Sequence, residues 1–192
     1  MVAGTQEVFR LLLEALSNPG RPVNLNVYVD QFKAGGQWLA PALTLLDNEC
    51  SFFWDGPSEL GEEIRFLSGA AQVPLEDADF IFLSTLGRGA EKTESAAARI
   101  LSQAKSGTHR DPHDSALIFI ASMGQAEQSL ALKGPGIPPE GRTVPLSACE
   151  AGWIKAREAQ AYEYPCGVEL IFMREDNSLF AITRKAAATW LM

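Results

Sequence analysis

Strand-like and helix-like stretches alternate through most of this chain, and the alternation ends in a hairpin. That order limits the fold more than any single motif does. ESAAARILSQAK (94–105) has helical character and stands between two strands, DFIFL (79–83) and SALIFIASM (115–123), the latter the most strongly apolar strand of the chain. Earlier, QWLAPALTLLDN (37–48) is apolar nearly all round and reads as a buried helix, followed by the short strand SFFW (51–54). PSELGEEIRFL (57–67) opens with proline and acidic residues, as a helix start does. Later, QSLALKG (128–134) reads as a strand and LSACEAGWIKAREAQAY (146–162) as a helix. VELIFMR and SLFAITR, separated by Glu175-Asp176-Asn177, make a hairpin. This order predicts an α/β fold, a three-layer sandwich around a mixed β-sheet, with residues 1–192 as one domain.

The first helix is predicted over EVFRLLLEALSNPG, where Val8, Phe9, Leu12, Leu13 and Leu16 recur at helical spacing. Arg10 and Glu14 are placed for an i,i+4 pair on its outer side, and Asn18-Pro19-Gly20 stops it. RPVNLNVYVD (21–30) alternates as a short strand does, and the tail KAAATWLM (185–192) reads as a closing helix. The chain shows no internal repeat and no linker long enough to divide it.

Composition excludes several functions. With a net charge of −8, a pI near 4.8 and no basic cluster, the chain lacks the cationic face that nucleic-acid binding requires. No apolar run approaches the roughly 18 residues needed to span a bilayer, so no membrane partner is expected. MVAGTQEVFR carries no export signal, and three scattered cysteines, Cys50, Cys149 and Cys166, make neither a disulfide framework nor a zinc motif. A reduced, cytoplasmic setting is the expectation.

Local motifs leave the chemistry open. In LALKGPGIPPEG (130–141), Lys133 precedes Gly134-Pro135-Gly136. A cofactor enzyme could use that lysine for a Schiff base and the glycines for close approach to a phosphate. The same residues could equally end a strand in a rigid turn. LGRGAEKTES resembles a phosphate loop only superficially: Gly87 and Gly89 are too close, and Glu91 stands where glycine should precede Lys92-Thr93. It reads as an exposed loop that starts a helix. His109 and His113 have the spacing of helical metal ligands, but Pro112 between them argues for a solvated loop instead. Cys166 lies among tyrosines and glutamates, which favours a structural thiol over a reactive one. Glu150, Glu158, Glu163 and Glu169 show no spacing that defines a catalytic carboxylate pair.

A set of stretches in register nonetheless resembles one family, the H subunit of the bacterial carbon–phosphorus lyase complex. They are FRLLLEALSNPGRPV (9–23), LTLLDNECSFFW (43–54), GTHRDPHDSALIFI (107–120), LALKGPGI (130–137), YPCGVELIF (164–172) and LFAITR (179–184). Together they cover nearly the whole chain. The resemblance implies the fold of the large domain of pyridoxal-phosphate-dependent transferases, without the cofactor. It also implies work alongside G-, I- and L-type subunits in coupling ATP and a phosphonate to give ribose 1-phosphonate 5-triphosphate, with a J-type subunit as a further partner in the complex. No catalytic group, cofactor or metal ligand of its own follows from it, and a homodimer is implied for the isolated chain.

The family pattern reads LTGPGI where this chain has Lys133. That favours the turn, with Lys133 in solvent. Glu169 stands where the family shows aspartate, and its longer arm argues against a tight hydrogen-bonding role. Charged and aromatic residues within the matched stretches, Arg10, Asp47, Trp54 and Arg184, are the candidates for binding or interface roles. For the charged three, local capping or pairing is the competing reading. Phe52, Phe53, Trp54, Trp153, Tyr162, Tyr164 and Trp190 are more large aromatics near turns and chain ends than one core easily hides, which favours self-association. The function alternatives are a stand-alone enzyme on a degenerate pyridoxal-phosphate scaffold and a module that binds a phosphorylated ligand.

Overall fold

Alternate residues of the central strands enter two separate cores. Ile118 and Ile120 face one, Phe119 and Ala121 the other; Leu170 and Phe172 divide from Ile171 and Met173 in the same way. A strand buried on both faces must lie inside a sheet covered on both sides. The computed structural model describes residues 2–30, 32, 35–84 and 93–191 and shows this arrangement.

In chain order the elements are α1 (Val2–Ser17), β1 (Val23–Asn24), α2 (Asn26–Val29), α3 (Gly36–Leu45), β2 (Ser51–Trp54), α4 (Ser58–Ser68), β3 (Ala71–Gln72) and β4 (Phe80–Leu83). They continue with α5 (Thr93–Gln103), β5 (Leu117–Ser122), β6 (Gln128–Lys133), β7 (Arg142–Leu146), α6 (Ala148–Ala159), β8 (Glu169–Arg174), β9 (Ser178–Ile182) and β10 (Ala187–Leu191). The main sheet has the order β1-β9-β8-β5-β4-β2-β3. Within it only β9 runs against the other strands, pairing antiparallel with β8 and β1. Side chains of α1, α3 and α4 pack on one face through Val8, Leu12, Trp38, Leu39 and Ile64. On the other face lie α5 and α6, through Leu101, Trp153 and Ile154, together with a second sheet of order β10-β6-β7.

Two expected elements need correction, and one strand was not expected. The stretch 21–30 is not one strand: β1 is two residues long, and α2 follows at once. Asn24 Oδ1 accepts from the Asn26 amide at 2.8 Å, a local bond that turns the chain out of the strand. The alanine-rich tail is strand β10, not a helix. It pairs antiparallel with β6 from Ala187 opposite Lys133 to Leu191 opposite Ser129. Tertiary contact overrides helix propensity here, because Trp190 lies beneath Lys155 at 4.8 Å and its indole donates to Glu158 at 3.1 Å, both on α6. RTVPL, unassigned from sequence, is β7, and with β6 and β10 it forms the second sheet.

Helix α1 buries Val8, Leu12 and Ala15 but leaves Phe9 and Leu13 exposed. The expected Arg10–Glu14 pair is absent among the described ion pairs, because Glu14 bonds Arg21 at 3.3 Å instead, across the Pro19-Gly20 turn. The aromatic surplus is smaller than composition implied. Phe52, Trp54 and Trp153 are core residues, and only Tyr164 of that group is exposed as a large hydrophobic.

Candidate functional site

Parallel strands of an open α/β sheet present their carboxyl ends to ligands. At that edge β5 ends in Ser122, β8 ends in Arg174, and α6 begins beside them. Ser147 is the N-cap of α6, and Glu150 closes a capping box: the Glu150 amide donates to Ser147 Oγ at 3.3 Å, and the Ser147 amide donates to Glu150 Oε2 at 2.9 Å. Glu150 is fully buried. Its carboxylate also accepts from Ser122 Oγ at 2.8 Å, from Arg174 Nε at 2.8 Å and from Arg174 Nη2 at 3.0 Å. The same Arg174 nitrogen donates to Pro145 O at 2.9 Å, and the guanidinium lies 4.6 Å from the Phe180 ring centroid. Every strong acceptor of Glu150 is therefore occupied. The adjoining cavity, lined by Gln37, Ser122, Met123, Arg174 and Glu175, measures about 90 Å³, room for a few waters. Residues 85–92, the phosphate-loop-like stretch after β4, lie outside the described residues.

The opposite edge is organised by Arg184. Its Nε donates to Glu169 Oε1 and its amide to Glu169 Oε2, both at 2.7 Å. Nη1 donates to Pro112 O at 2.6 Å and more weakly to Pro165 O at 3.4 Å, while Nη2 donates to Ser115 Oγ at 2.8 Å. One guanidinium thus ties the end of β9 to the start of β8, the histidine loop and the YPCG turn. This corrects the expectation for Glu169: the longer arm makes two short bonds. Next to it, Lys105 Nζ bonds Asp79 Oδ1 at 2.7 Å, and Ser51 Oγ donates to Asp79 Oδ2 at 2.6 Å. Partial burial pushes the Asp79 carboxyl up, but the hydrogen bonds from Lys105 and Ser51 outweigh it and hold the group below its ordinary value. A depressed folded pKa contributes stability that is present at neutral pH and lost as pH falls through that pKa. Asp79→Asn should therefore lower the melting temperature at pH 7, and the gap from the parent should narrow below about pH 4. A gap that stays constant over an acid titration would refute the assignment.

The structure does not bring the sequence candidates together. Arg10 is exposed on α1 and has no ion pair among the described residues. Asp47 follows α3 and accepts from the Glu49 amide at 2.9 Å, the bond that chiefly holds its carboxyl below the ordinary value. Trp54 is only 6% exposed. Its indole donates to Pro57 O at 2.8 Å and stands edge-on to Trp38, so within this chain it is a core residue rather than an exposed aromatic. Of the four, Arg184 lies at the wall of a cavity.

Lys133 ends β6 in solvent, and Gly134 and Gly136 make the turn. Gly136 has φ +76°, and a Cβ there would meet Ser17 O at 1.9 Å, so the glycine is required by the approach to α1. No lysine is among the residues lining the cavity beside Ser122 or the one beside Arg184.

His109 and His113 are exposed, and His109 Nε2 lies 3.1 Å from Glu163 Oε2. No group of three or more metal-ligating side chains occurs among the described residues. Replacing both histidines by alanine is expected to leave stability within about 0.5 kcal/mol of the parent, and metal content unchanged. Stoichiometric zinc or iron lost on that replacement would show otherwise. Burial pushes the Cys149 thiol up to about 11, which leaves it inert at neutral pH.

Sequence reasoning missed the Glu150–Arg174 pair. A signal existed, since Ser147-x-x-Glu150 ahead of Ala151-Gly152-Trp153-Ile154 is a capping box, but helix boundaries drawn from Leu146 hid it. Arg174's part had no local signature. The model of a family described as bacterial phosphonate metabolism protein (PhnH) matches residues 1–189. No curated protein matches the chain.

Proposed function

The chain belongs to the PhnH family of bacterial phosphonate metabolism proteins, and from that premise we propose that it acts inside the multi-subunit carbon–phosphorus lyase assembly without catalytic groups of its own. Its role lies in phosphonate metabolism. In the proposed role it supports, with G-, I- and L-type subunits, the formation of ribose 1-phosphonate 5-triphosphate from ATP and a phosphonate in the cytoplasm. One observation beyond the family carries the reading. Among the described residues, two carboxylates at the sheet edges are engaged internally: Glu150 with Arg174, and Glu169 with Arg184. A general base or nucleophile needs a reachable partner, and these groups bond backbone and one another. The mostly parallel seven-stranded sheet, covered on both faces, supports reading the scaffold as that of a pyridoxal-phosphate transferase large domain that has lost its lysine chemistry.

Exposed apolar side chains supply surface for partners. Phe9 and Leu13 stand out from α1, Phe66 and Leu67 from α4, and among them Phe66 is 83% exposed. No described helix is long and apolar enough to cross a membrane. Co-expression with the G-, I-, J- and L-type subunits, with an affinity tag on this chain alone, tests the proposal. The expected result is stoichiometric co-elution and a triphosphate-forming activity that vanishes when this chain is omitted. Elution of this chain by itself, with the remaining subunits fully active, would end the proposal.

A further inference from the structure

Edge strands leave backbone groups unpaired, and folded chains blunt them with short length, proline or charge. Of the edges of the two sheets, all but one are blunted in this way. In the main sheet the edge strands β1 and β3 are each two residues long. In the second sheet β7 carries Pro145, whose carbonyl accepts from Arg174 Nη2 at 2.9 Å. It also carries Arg142, whose guanidinium donates to Asn18 O at 2.9 Å. The remaining edge, β10, has no such device. Ala187-Ala188-Thr189-Trp190-Leu191 holds neither proline nor charge and pairs along its whole length with β6. Among the described residues, its backbone makes no hydrogen bond outside that ladder. In an antiparallel pair every other residue turns its N–H and C=O away from the neighbouring strand, so part of the β10 backbone faces outward unpaired.

A cavity of about 270 Å³ lies against this edge. Consecutive strand residues point to opposite faces, yet Ala187 and Ala188 both line it, so it meets the strand at its open side rather than under one face. Tyr162, Tyr164 and Val168 form further walls, and Tyr164 is 74% exposed. The buried cation of the cavity, Arg157, is offset by Glu158 and Glu169, and it donates to the carbonyls of Ile182, Thr183 and Ala186. The pocket therefore calls for no further ion. Its alanine wall leaves room for one bulky uncharged side chain.

Charge narrows the occupant of the edge. Three of the six lysines gather around β10, although the chain as a whole carries −8. Lys133 stands opposite Ala187 on β6, Lys185 leads into the strand, and Lys155 Nζ lies 4.8 Å from the Trp190 ring centroid. None of the three takes part in an ion pair among the described residues. Glu158 is the acid bonded to the strand, through the Trp190 indole at 3.1 Å. A second copy pairing β10 to β10 about a two-fold axis would bring two such lysine groups together, and like charges across a strand pair repel. An acidic segment would meet the lysines favourably.

We propose that β10 accepts an extended, acidic segment of another protein as a further strand, with one large apolar side chain of that segment seated in the cavity beside Ala188. Main-chain hydrogen bonds supply the attachment, and the pocket and lysines supply the selectivity. The site belongs to the isolated chain, so it stands whether or not the chain joins the lyase assembly.

Two fluorescein-labelled peptides test this against the full chain. Each alternates valine with a charged residue around a central phenylalanine, one using glutamate and the other lysine. By fluorescence anisotropy the glutamate peptide should bind saturably, and the lysine peptide severalfold more weakly. Amide hydrogen exchange in 187–191 should slow when the glutamate peptide binds, while exchange in β7 stays unchanged. Replacing Lys133→Glu together with Lys185→Glu should weaken that binding severalfold; both positions are exposed, and a thermal melt checks that the fold is kept. Should the double variant fail to fold, the two peptides on the parent protein still give the charge comparison. Binding of neither peptide, equal binding of both, or binding that leaves 187–191 unprotected would overturn the proposal. So would light scattering that shows a dimer of the free chain with 187–191 already protected, which would make a second copy the occupant.

Discussion

Glu150→Ala is expected to lower the melting temperature by on the order of 10 °C. Breaking one side of a buried ion pair costs about 3–5 kcal/mol, because the partner charge loses its compensation. For a chain of this size each kcal/mol moves the midpoint by about 2–4 °C. The carboxylate does three jobs that alanine cannot: it caps α6 through the Ser147 amide, accepts from Ser122, and neutralises Arg174 through two nitrogens. Glu150→Gln separates them. A glutamine oxygen still accepts from Ser147, so the cap survives, but Arg174 faces a neutral amide, and the loss should fall between parent and alanine. The double replacement Glu150→Leu with Arg174→Met should regain much of the stability, since apolar groups of similar size can stand in for a buried pair. Thermal melts of these variants check the order. If the alanine variant melts with the parent, Glu150 is not a stability anchor and the carboxyl edge needs a different account.

The fold was legible in sequence wherever burial was two-sided or periodic. Ile118 to Ala121 and Leu170 to Met173 are apolar at every position, which only an enclosed sheet accommodates, and both proved central. What sequence could not show was pairing between distant segments. The tail 187–191 is strand only because β6 offers it an edge and α6 offers Trp190 a floor, neither of which is encoded within the tail. The site was less legible for the same reason. Arg184 was singled out by its place in a matched stretch, yet the groups it bonds come from positions 112, 115, 165 and 169. Arg157 carried no signal at all: a lysine or arginine near a helix end reads as a solvated charge, and only the fold encloses it.

Arg184→Ala tests whether the matched arginines act locally or at a partner surface. The structure predicts a local role. Alanine removes every side-chain donor that joins Glu169, Pro112, Pro165 and Ser115, and leaves the Glu169 carboxylate with the Arg184 amide. Hydrogen bonds to charged groups contribute about 1.5–3 kcal/mol each, and they are not additive within one side chain. A net loss of about 3 kcal/mol is expected, a fall of roughly 6–12 °C in the midpoint. Arg184→Lys should recover little of this, because one ammonium cannot span a carboxylate, a carbonyl and a hydroxyl that a planar fork reaches together. Glu169→Asp should cost less than Arg184→Ala, since the charge is kept and only the reach is shortened. Below its melting point the Arg184→Ala protein should still join the lyase subunits. Arg10 is the contrast: exposed on α1 without an ion pair among the described residues, it can be replaced by alanine within about 0.5 kcal/mol. If Arg10→Ala keeps its melting temperature but fails to co-elute with the other subunits, α1 is a partner face, continuous with exposed Phe9 and Leu13. If instead Arg184→Ala melts like the parent and loses assembly, the hub is an interface residue and the local account is wrong.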